Sequence, residues 1–199
     1  MNQKPIELFR RWWTRAREIE SQPDAFCLAT IGQGTLVEGR PLPDARMLLL
    51  KDFTDSGELI FFSSCQSRKG KQLSANRSAA AVFFWPTLGW QVRVQGEVFM
   101  VSDADALEYW RHRPRLSRFV TWVSQQSEPW PSANKFCQWI GEALFQIPWK
   151  RPPYWWVGYA LYVHTIEFLE LKPARASFRT RYTRSIARED GWGVEKLMP

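Results

Sequence analysis

Three groups of residues in this sequence have the types and spacing of sites that bind phosphate. One is Ser67-Arg68-Lys69, which follows an apolar run and opens a polar segment predicted to be a helix. Backbone N–H groups and the helix dipole favour an anion at a helix start, and basic side chains add charge. Arg46 and Lys51 form another group, although a spacing of five in one strand places them on opposite faces unless the strand is bulged. We therefore predict a phosphate site at the helix start; a solvated basic turn is the alternative.

The third group surrounds Pro114 and combines hydroxyl with guanidinium groups. Tyr109 and Arg113 are four residues apart and share a helix face, and Ser117 follows four residues later. Together these side chains could form a cup for one phosphate. A run of surface charge is the alternative interpretation.

The rest of the sequence lacks the common catalytic signatures. Its two histidines and three cysteines occur in no metal-binding spacing, and there is neither a GxSxG motif nor a complete phosphate loop. The tail, by contrast, carries Arg175, Arg179 and Arg181 on one face of an extended segment, which we expect to face an anion. An enzyme with this composition would depend on a cofactor for its chemistry.

The composition indicates an anionic, planar partner. The 199 residues carry a formal charge of +7 and include 12 Trp, which suits either nucleic acid or a phosphorylated aromatic cofactor. Many of the Trp residues lie in apolar contexts such as Trp12-Trp13 and Trp155-Trp156, which favours core or subunit contacts over a nucleic-acid surface. No apolar run is long enough to span a membrane and no signal-peptide pattern is present, so we expect a cytoplasmic protein that binds neither membrane nor nucleic acid.

The element pattern predicts a mainly β fold with flanking helices (α+β). Many short strands are joined by turns, and helical segments occur at the start and in the middle of the chain, which is typical of a β-barrel that carries helices. The predicted helices cover 6–19, 67–76, 102–113 and 132–145. The predicted strands cover 25–31, 45–51, 58–63, 79–85, 90–101, 155–171, 177–182 and 192–197.

Glycine and turn residues predict where these strands bend. Gly32-Gln33-Gly34 predicts a short hairpin turn, and Thr54-Asp55-Ser56-Gly57 predicts a second hairpin between strands 45–51 and 58–63. Gly96 interrupts an alternating strand and predicts a bulge. The strand at 155–171 is expected to break near His164.

A series of short motifs in one order resembles the pyridoxamine 5'-phosphate oxidase family. The resemblance runs nearly end to end, and each motif is weak alone but specific in this order. The motifs are ARMLLLK at 45–51, FFSS at 61–64 followed by SRK at 67–69, QVRV at 91–94, YWRHRPRLS at 109–117, WVSQQS at 122–127, Glu167-Phe168, Arg175 to Arg179, and the terminal LMP.

The resemblance implies one FMN-binding, Greek-key split β-barrel over residues 1–199. It also implies an N-terminal helix at about 5–21, a C-terminal dimerisation and substrate segment at about 154–199, and a homodimer with two FMN molecules at the subunit interface. By this similarity the FMN phosphate lies against Arg46, Arg68 and Lys69. The full implied set of FMN contacts, some from the opposite subunit, is Arg46, Lys51, Phe62, Ser63, Arg68, Lys69, Gln91, Gln126, Ser127 and Arg179.

The family reaction is the oxidation of pyridoxamine or pyridoxine 5'-phosphate to pyridoxal 5'-phosphate. A hydride passes from the substrate to the flavin, and oxygen then reoxidises the flavin. The resemblance implies that the substrate phosphate lies against Lys51, Tyr109, Arg113 and Ser117. It places Arg175 over the substrate ring, and Arg175 and Ser177 occupy the implied catalytic positions.

Three positions depart from the family pattern at the end that recognises the ring. Ser177 replaces a histidine that meets the substrate ring, Phe178 replaces an acid, and Leu169 replaces a tryptophan that packs on the flavin. We therefore expect FMN binding to be kept and substrate recognition to be altered. Three alternatives stay open: a split-barrel FMN oxidoreductase with another substrate, a flavin-binding protein with little turnover, and a single-strand nucleic-acid binder.

Overall fold

The computed structural model describes residues 4–37, 40–124, 126–146, 149–172, 177–185 and 191–198. The helices are α1 (Pro5–Ile19), α2 (Arg68–Ala75), α3 (Asp103–His112), α4 (Arg115–Val123) and α5 (Ala133–Gln146). The strands are β1 (Ala25–Val37), β2 (Arg40–Leu49), β3 (Asp52–Phe53), β4 (Glu58–Ser64), β5 (Ser78–Trp85), β6 (Trp90–Met100), β7 (Trp156–Glu170), β8 (Phe178–Arg184) and β9 (Trp192–Leu197).

The strands form an antiparallel sheet that divides at the long strand β7. One edge of β7 pairs with β6, whereas its other edge pairs with β4 over its first half and with β8 over its second half. The order across the main path is β2-β1-β5-β6-β7-β4-β3, and β8 and β9 branch from β7. The predicted mainly β architecture with flanking helices is confirmed.

The main core lies between α1 and the sheet. Phe9 on α1 is fully buried and packs against Phe53 and Phe83, with ring centroids 4.5 and 5.2 Å away. Strand alternation then decides what faces outward, because Leu59 and Phe61 of β4 enter the core and Phe62 lies on the opposite face. The N-terminal helix therefore fixes the sheet from one side and leaves the face of Phe62 available for a site.

Serine caps begin the two helices that carry the candidate phosphate groups. The Ser67 hydroxyl accepts from the Gly70 N–H (3.3 Å) at the start of α2, and the Ser102 hydroxyl accepts from the Asp105 N–H (3.1 Å) at the start of α3. Pro114 follows α3, as predicted, but it also begins α4, a helix that the sequence interpretation missed. The basic residues around Pro114 obscured the apolar positions of α4, because they indicate a phosphate cup or a run of surface charge rather than a helix.

The structure corrects both predicted hairpins. Strand β1 continues through Gly32-Gln33-Gly34 as far as Val37, so these glycines do not form the predicted turn. Strand β2 begins at Arg40 and pairs antiparallel with β1. The turn at Thr54–Gly57 exists, but it joins β4 to the two-residue strand β3 rather than to β2. Both differences concern where a strand ends, because β1 runs on to Val37 and β2 ends at Leu49 before the separate strand β3 begins.

A bulge lies at the level of Gly96, as predicted, but its extra residue belongs to β7, which is not broken near His164. Gln95 pairs with Thr165 and Gly96 pairs with Val163, so His164 of β7 is the extra, bulged residue opposite them. A side chain at Gly96 would collide with the backbone of Tyr162. The bulge absorbs the irregularity, and β7 therefore runs unbroken.

Candidate functional site

A basic pocket of about 450 Å³ lies where α2 begins beside β2 and β4. It gathers every predicted FMN contact except Lys51, Gln91 and Arg179. Strand β2 supplies Arg46, the end of β4 supplies Phe62 and Ser63, and α2 supplies its first two residues. The full lining is Asp44, Arg46, Met47, Leu48, Phe62, Ser63, Arg68, Lys69, Gln126 and Ser127.

The Arg46 guanidinium is held by four acceptors of the chain itself. Nη1 donates to Thr30 Oγ1 (2.6 Å) and to the Leu28 carbonyl (3.2 Å). Nη2 donates to Gln72 Oε1 (3.0 Å) and pairs with the Asp44 carboxylate (2.8 Å). Thr30 and Gln72 are themselves buried. Arg46 is therefore a fixed positive charge at the wall of the pocket.

Lys69 is a second cation in this pocket, and its pKa is lowered. Its Nζ donates to Ser67 Oγ and to Gln126 Oε1, each at 3.0 Å. Burial, and then the nearby charge of Arg46, lowers the pKa of Lys69 to about 8. A bound anion would oppose both effects and favour the charged ammonium.

The segment at Gln126 and Ser127 closes the pocket opposite α2. Ser63 Oγ donates to Gln126 Oε1 (3.1 Å), and the Arg68 N–H donates to Ser127 Oγ (3.1 Å). Ser127 has a left-handed backbone with a φ of 73°. Such a conformation is uncommon for a residue other than glycine and is found preferentially at functional sites.

Gln72 helps to hold Arg46 in place, and Gly32 leaves the space that the Gln72 side chain occupies. The sequence interpretation identified neither role. A Cβ at Gly32 would overlap the Gln72 side chain. Gln72 in turn accepts from Thr30 Oγ1 (2.7 Å) and from Arg46. The spacing of Gln72 three residues after Lys69 placed it near the same helix face, but nothing in the sequence linked it to β1.

Replacing Gly32 with alanine is expected to lower stability and to weaken anion binding together. The new methyl group would displace Gln72 from Arg46, and overpacking of this kind costs about 1–3 kcal/mol. The control is Gly141→Ala in α5, where nothing lies within 4 Å of the new Cβ, so that helix propensity gains up to about 1 kcal/mol. Thermal unfolding and phosphate titration are measured for both variants. A melting temperature of Gly32→Ala equal to that of the unmodified chain would contradict this role of Gly32.

A larger pocket of about 830 Å³ shares Phe62 with the basic pocket and includes Lys51 and Tyr109. The Phe62 ring stacks on Tyr109, with centroids 4.1 Å apart and planes within 10°, and on Trp156 at 4.8 Å and 8°. Gly158 lies opposite Phe62 in β7, and a Cβ there would meet this ring. The two pockets therefore meet at a stack of flat aromatic rings.

Arg113 is outside the lining of the larger pocket, but its positive charge acts on Lys51 and Tyr109. Burial and the charge of Arg113 both lower the pKa of Lys51, and burial raises the pKa of Tyr109. Arg113 Nη2 donates to the Ser117 carbonyl (3.3 Å) and to Thr121 Oγ1 (3.2 Å). Arg113 Nε is buried and has no hydrogen-bond partner in the described part of the chain. Paired cations with an unused donor fit an anion such as a phosphate.

Gln91 and Arg179 lie in a third place, outside the lining of both pockets. Gln91 of β6 is in register with Leu169 of β7, and Leu169 is in register with Arg179 of β8. The three residues therefore form one row across the sheet, and Arg179 Nε is buried without a partner. Ser177 precedes β8 beside this row, and Arg175 lies outside the described residues.

An ion-pair ladder runs beside that row and was not predicted. The nearly buried Glu167 pairs with Arg181 (2.8 Å) and with Arg93 (3.4 Å). Arg181 also approaches Glu195 (3.7 Å). Arg181 therefore pairs with acidic side chains of this chain, whereas the sequence interpretation predicts that it faces a bound anion. Strand register is what pairs these residues, and it is not visible in the sequence.

The described residues fit a phosphorylated, planar group better than a metal ion. They contain no cluster of three or more His, Cys, Asp or Glu side chains that could hold a metal. The basic pocket offers fixed cations for a terminal phosphate, and the adjacent ring of Phe62 offers a flat apolar wall. None of the helices in the described ranges is long and apolar enough to cross a membrane.

Comparison with protein families accounts for most of the chain. Residues 13–140 match the family described as pyridoxamine 5'-phosphate oxidase. Residues 156–199 match the pyridoxine 5'-phosphate oxidase C-terminal dimerisation region. Relatives named pyridoxine/pyridoxamine 5'-phosphate oxidase from Brucella ovis and Brucella canis are 38% identical over 202 residues, which cover 98% of this chain and 92% and 94% of theirs.

Two solved structures share the fold. PhzG from Burkholderia lata, in complex with tetrahydrophenazine-1-carboxylic acid, has a TM-score of 0.84 at 26% identity and covers 98% of this chain and 93% of its own. A pyridoxamine 5'-phosphate oxidase-related, FMN-binding protein from Nostoc punctiforme has a TM-score of 0.79 at 20% identity, with 100% of both chains covered. The likeness confirms the predicted split-barrel fold.

Proposed function

Because the chain belongs to the pyridoxamine 5'-phosphate oxidase family, we propose that it is an FMN-dependent oxidase of B6 phosphates. The proposed reaction converts pyridoxamine or pyridoxine 5'-phosphate to pyridoxal 5'-phosphate with O2 as the electron acceptor. The observation that carries the proposal is the basic pocket at α2, which gathers Arg46, Arg68 and Lys69 beside Phe62. These residues fit the single terminal phosphate of FMN.

The proposal assigns binding and alignment to this chain's own residues. The chemistry that FMN supplies when bound is acceptance of a hydride and its later transfer to oxygen. Arg46 and Lys69 bind the FMN phosphate, and Phe62 lies against the flavin. Lys51 and Arg113, with Tyr109 and Ser117 beside them, bind the substrate phosphate and so fix the distance between the two ligands.

We further infer that the functional unit is a homodimer. Gln91 and Arg179 lie outside both pockets of their own chain, and Arg179 Nε has no hydrogen-bond partner among the residues that the structure describes. A flavin held by the opposite subunit would give this row a ligand. The match of residues 156–199 to a dimerisation region supports this assignment. A flavin-loaded monomer in sedimentation would contradict it.

The proposal predicts that FMN affinity falls as the pH rises above about 8, the pKa of Lys69. Bound phosphate raises this pKa, so binding takes up a proton between the free and the bound pKa values. Affinity then decreases by up to about tenfold per pH unit in that interval and is nearly constant just below it. Fluorescence titration of flavin-free protein tests this, with Lys69→Met expected to abolish the slope and the exposed Lys71→Met expected to keep it.

A second candidate function is oxidation of a larger, less polar ring by the same cofactor. The observation that favours it lies at the row of Gln91, where Leu169 is nearly buried and Phe178 at the start of β8 is 67% exposed. An apolar side chain stands beside Ser177, where the family pattern has polar groups for the pyridine ring. The Burkholderia neighbour, whose structure contains a tricyclic carboxylate, makes such a substrate class a concrete alternative.

Turnover of the Ser177→His variant separates the two candidates. Imidazole reaches further than a hydroxymethyl group and can hydrogen-bond to a ring oxygen. If the substrate is a B6 phosphate, we expect slow oxidation by the natural chain and faster turnover by the variant. Unchanged turnover in both Ser177→His and Ser177→Ala, or no binding of any B6 phosphate, would favour the second candidate.

The direct experiment for the proposed function is identification of the cofactor. Purified protein is expected to be yellow and to release FMN, not FAD, on denaturation, because the basic pocket suits one terminal phosphate. Assays with pyridoxine and pyridoxamine phosphates then follow peroxide and pyridoxal 5'-phosphate. Colourless protein that fails to bind added FMN would overturn the proposal.

A further inference from the structure

Asp44 is the one acid among the described residues that line the basic pocket. A single carboxylate oxygen, Oδ2, lies 2.8 Å from Arg46 Nη2 and 3.3 Å from Arg68 Nε. The same oxygen accepts from Gln72 Nε2 (3.3 Å). A negative charge thus lies in the lining of a pocket whose other charged groups are cations.

The donors of Arg46 show what an incoming phosphate must displace. A guanidinium has five N–H groups, and each of the four on the Nη atoms of Arg46 already has an acceptor. Of these acceptors, Leu28 is a backbone carbonyl, and Thr30 and Gln72 are buried and bonded to each other (2.7 Å). Asp44 is the charged acceptor and it lines the pocket. It is therefore the contact that a phosphate would replace.

We propose that Asp44 is an internal counter-anion of this pocket, which holds Arg46 and Arg68 in the free protein and competes with the ligand's phosphate for them. The inference rests on the proposed function only in naming FMN as the ligand that carries the phosphate. The carboxylate belongs to β2, so its effective concentration at the two guanidinium groups is high. Its neighbours also keep it charged: burial alone would raise the pKa of Asp44, but Arg46, Gln72 and Arg68 hold it below its ordinary value.

The counter-anion has opposite effects on stability and on affinity. Without it, the cations Arg46, Arg68 and Lys69 would repel one another in the free pocket, so the charge of Asp44 stabilises the free protein. Once a phosphate binds, the same charge lies beside a dianion and opposes it. A merely structural acid would behave differently, because its removal would lower stability and affinity together.

The experiment compares the full-length, flavin-free protein with its Asp44→Asn variant. Isothermal titration with inorganic phosphate and with FMN measures affinity, and thermal unfolding with and without phosphate measures stability. We expect the variant to unfold at a lower temperature alone, to bind both ligands at least about tenfold more tightly, and to gain more from added phosphate. The control is Asp55→Asn, which removes one unit of charge at a side chain that is 94% exposed and outside the pocket, and which should leave both affinities unchanged.

The inference would be overturned if the Asp44→Asn variant bound phosphate and FMN no more tightly than the unmodified chain does. Tighter phosphate binding with no FMN binding by either protein would support the counter-anion and contradict the proposed function instead. If Asp44→Asn does not fold, Asp44→Ser removes the same charge with a smaller side chain, and the same two outcomes apply to it.

Discussion

Replacing Arg113 with alanine is expected to weaken binding of pyridoxamine 5'-phosphate about ten- to hundredfold and to leave FMN binding nearly unchanged. Loss of a charge-assisted hydrogen bond costs about 1.5–3 kcal/mol, which corresponds to this range. Arg113 is half-buried, its Nε has no partner, and it lies outside the basic pocket lined by Arg46 and Lys69. The dissociation constants of both ligands, measured on the same preparation, test the separation of the two phosphate sites.

Arg111→Ala is the matched control for this change. Arg111 lies two residues earlier on α3, is exposed, and pairs with Glu108 at 3.4 Å. Because exposed pairs of this kind contribute about 0–1 kcal/mol, its loss should alter neither dissociation constant appreciably. Equal loss of FMN and substrate in Arg113→Ala would show that Arg113 belongs to the flavin site.

Replacing Arg46 with alanine is expected to have the larger effect and to act on FMN. The change removes a cation that is held at four points, and it takes one donor away from the Asp44 carboxylate and from the buried Gln72 and Thr30 oxygens. Loss of a charge-assisted hydrogen bond in such a part-buried network costs about 1.5–3 kcal/mol of stability. FMN affinity should fall at least about hundredfold, because a favourable charge disappears while the opposing one stays.

Lys71→Ala provides the control, since Lys71 is an exposed cation on α2 and lies outside the pocket lining. It should bind FMN as the unmodified chain does, which would separate a local contact from a general loss of positive charge. Flavin content after purification and the melting temperature measure both variants. An Arg46→Ala protein that is purified with full flavin content would contradict the assignment of the basic pocket.

Four of the five helices in the described residues, and most strands, could be predicted because short-range periodicity encodes them. Ile6 to Ile19 repeats at helical spacing and forms α1, and the alternation around Val92 and Val94 gives β6. Turn chemistry also located Thr54–Gly57. What failed was the choice of strand partner, because β3 rather than β2 forms that hairpin and Gly32 serves close packing rather than a turn. The packing of Gly32 depends on its contact with Gln72 of α2, a distant segment that local patterns do not reveal.

The candidate site likewise contains some residues that the sequence predicts and others that it does not. The basic residues Arg46, Arg68 and Lys69 are visible in the sequence because their types suit an anion. Asp44 and Gln72 are not, since an acid or an amide near a cation is common and carries no signal until the fold brings them within hydrogen-bonding distance. The row of Gln91, Leu169 and Arg179 likewise exists only through strand register, and so its separation from the two pockets could not be anticipated.

The measurement that tests the central claim most directly is anaerobic mixing of the FMN-loaded protein with pyridoxamine 5'-phosphate. The account predicts that the yellow absorption of the oxidised flavin disappears. It should return when oxygen is admitted, with one pyridoxal 5'-phosphate and one peroxide formed per cycle. A flavin that stays oxidised with both pyridoxamine and pyridoxine 5'-phosphate, although the protein binds FMN, would contradict the claim that this chain oxidises B6 phosphates.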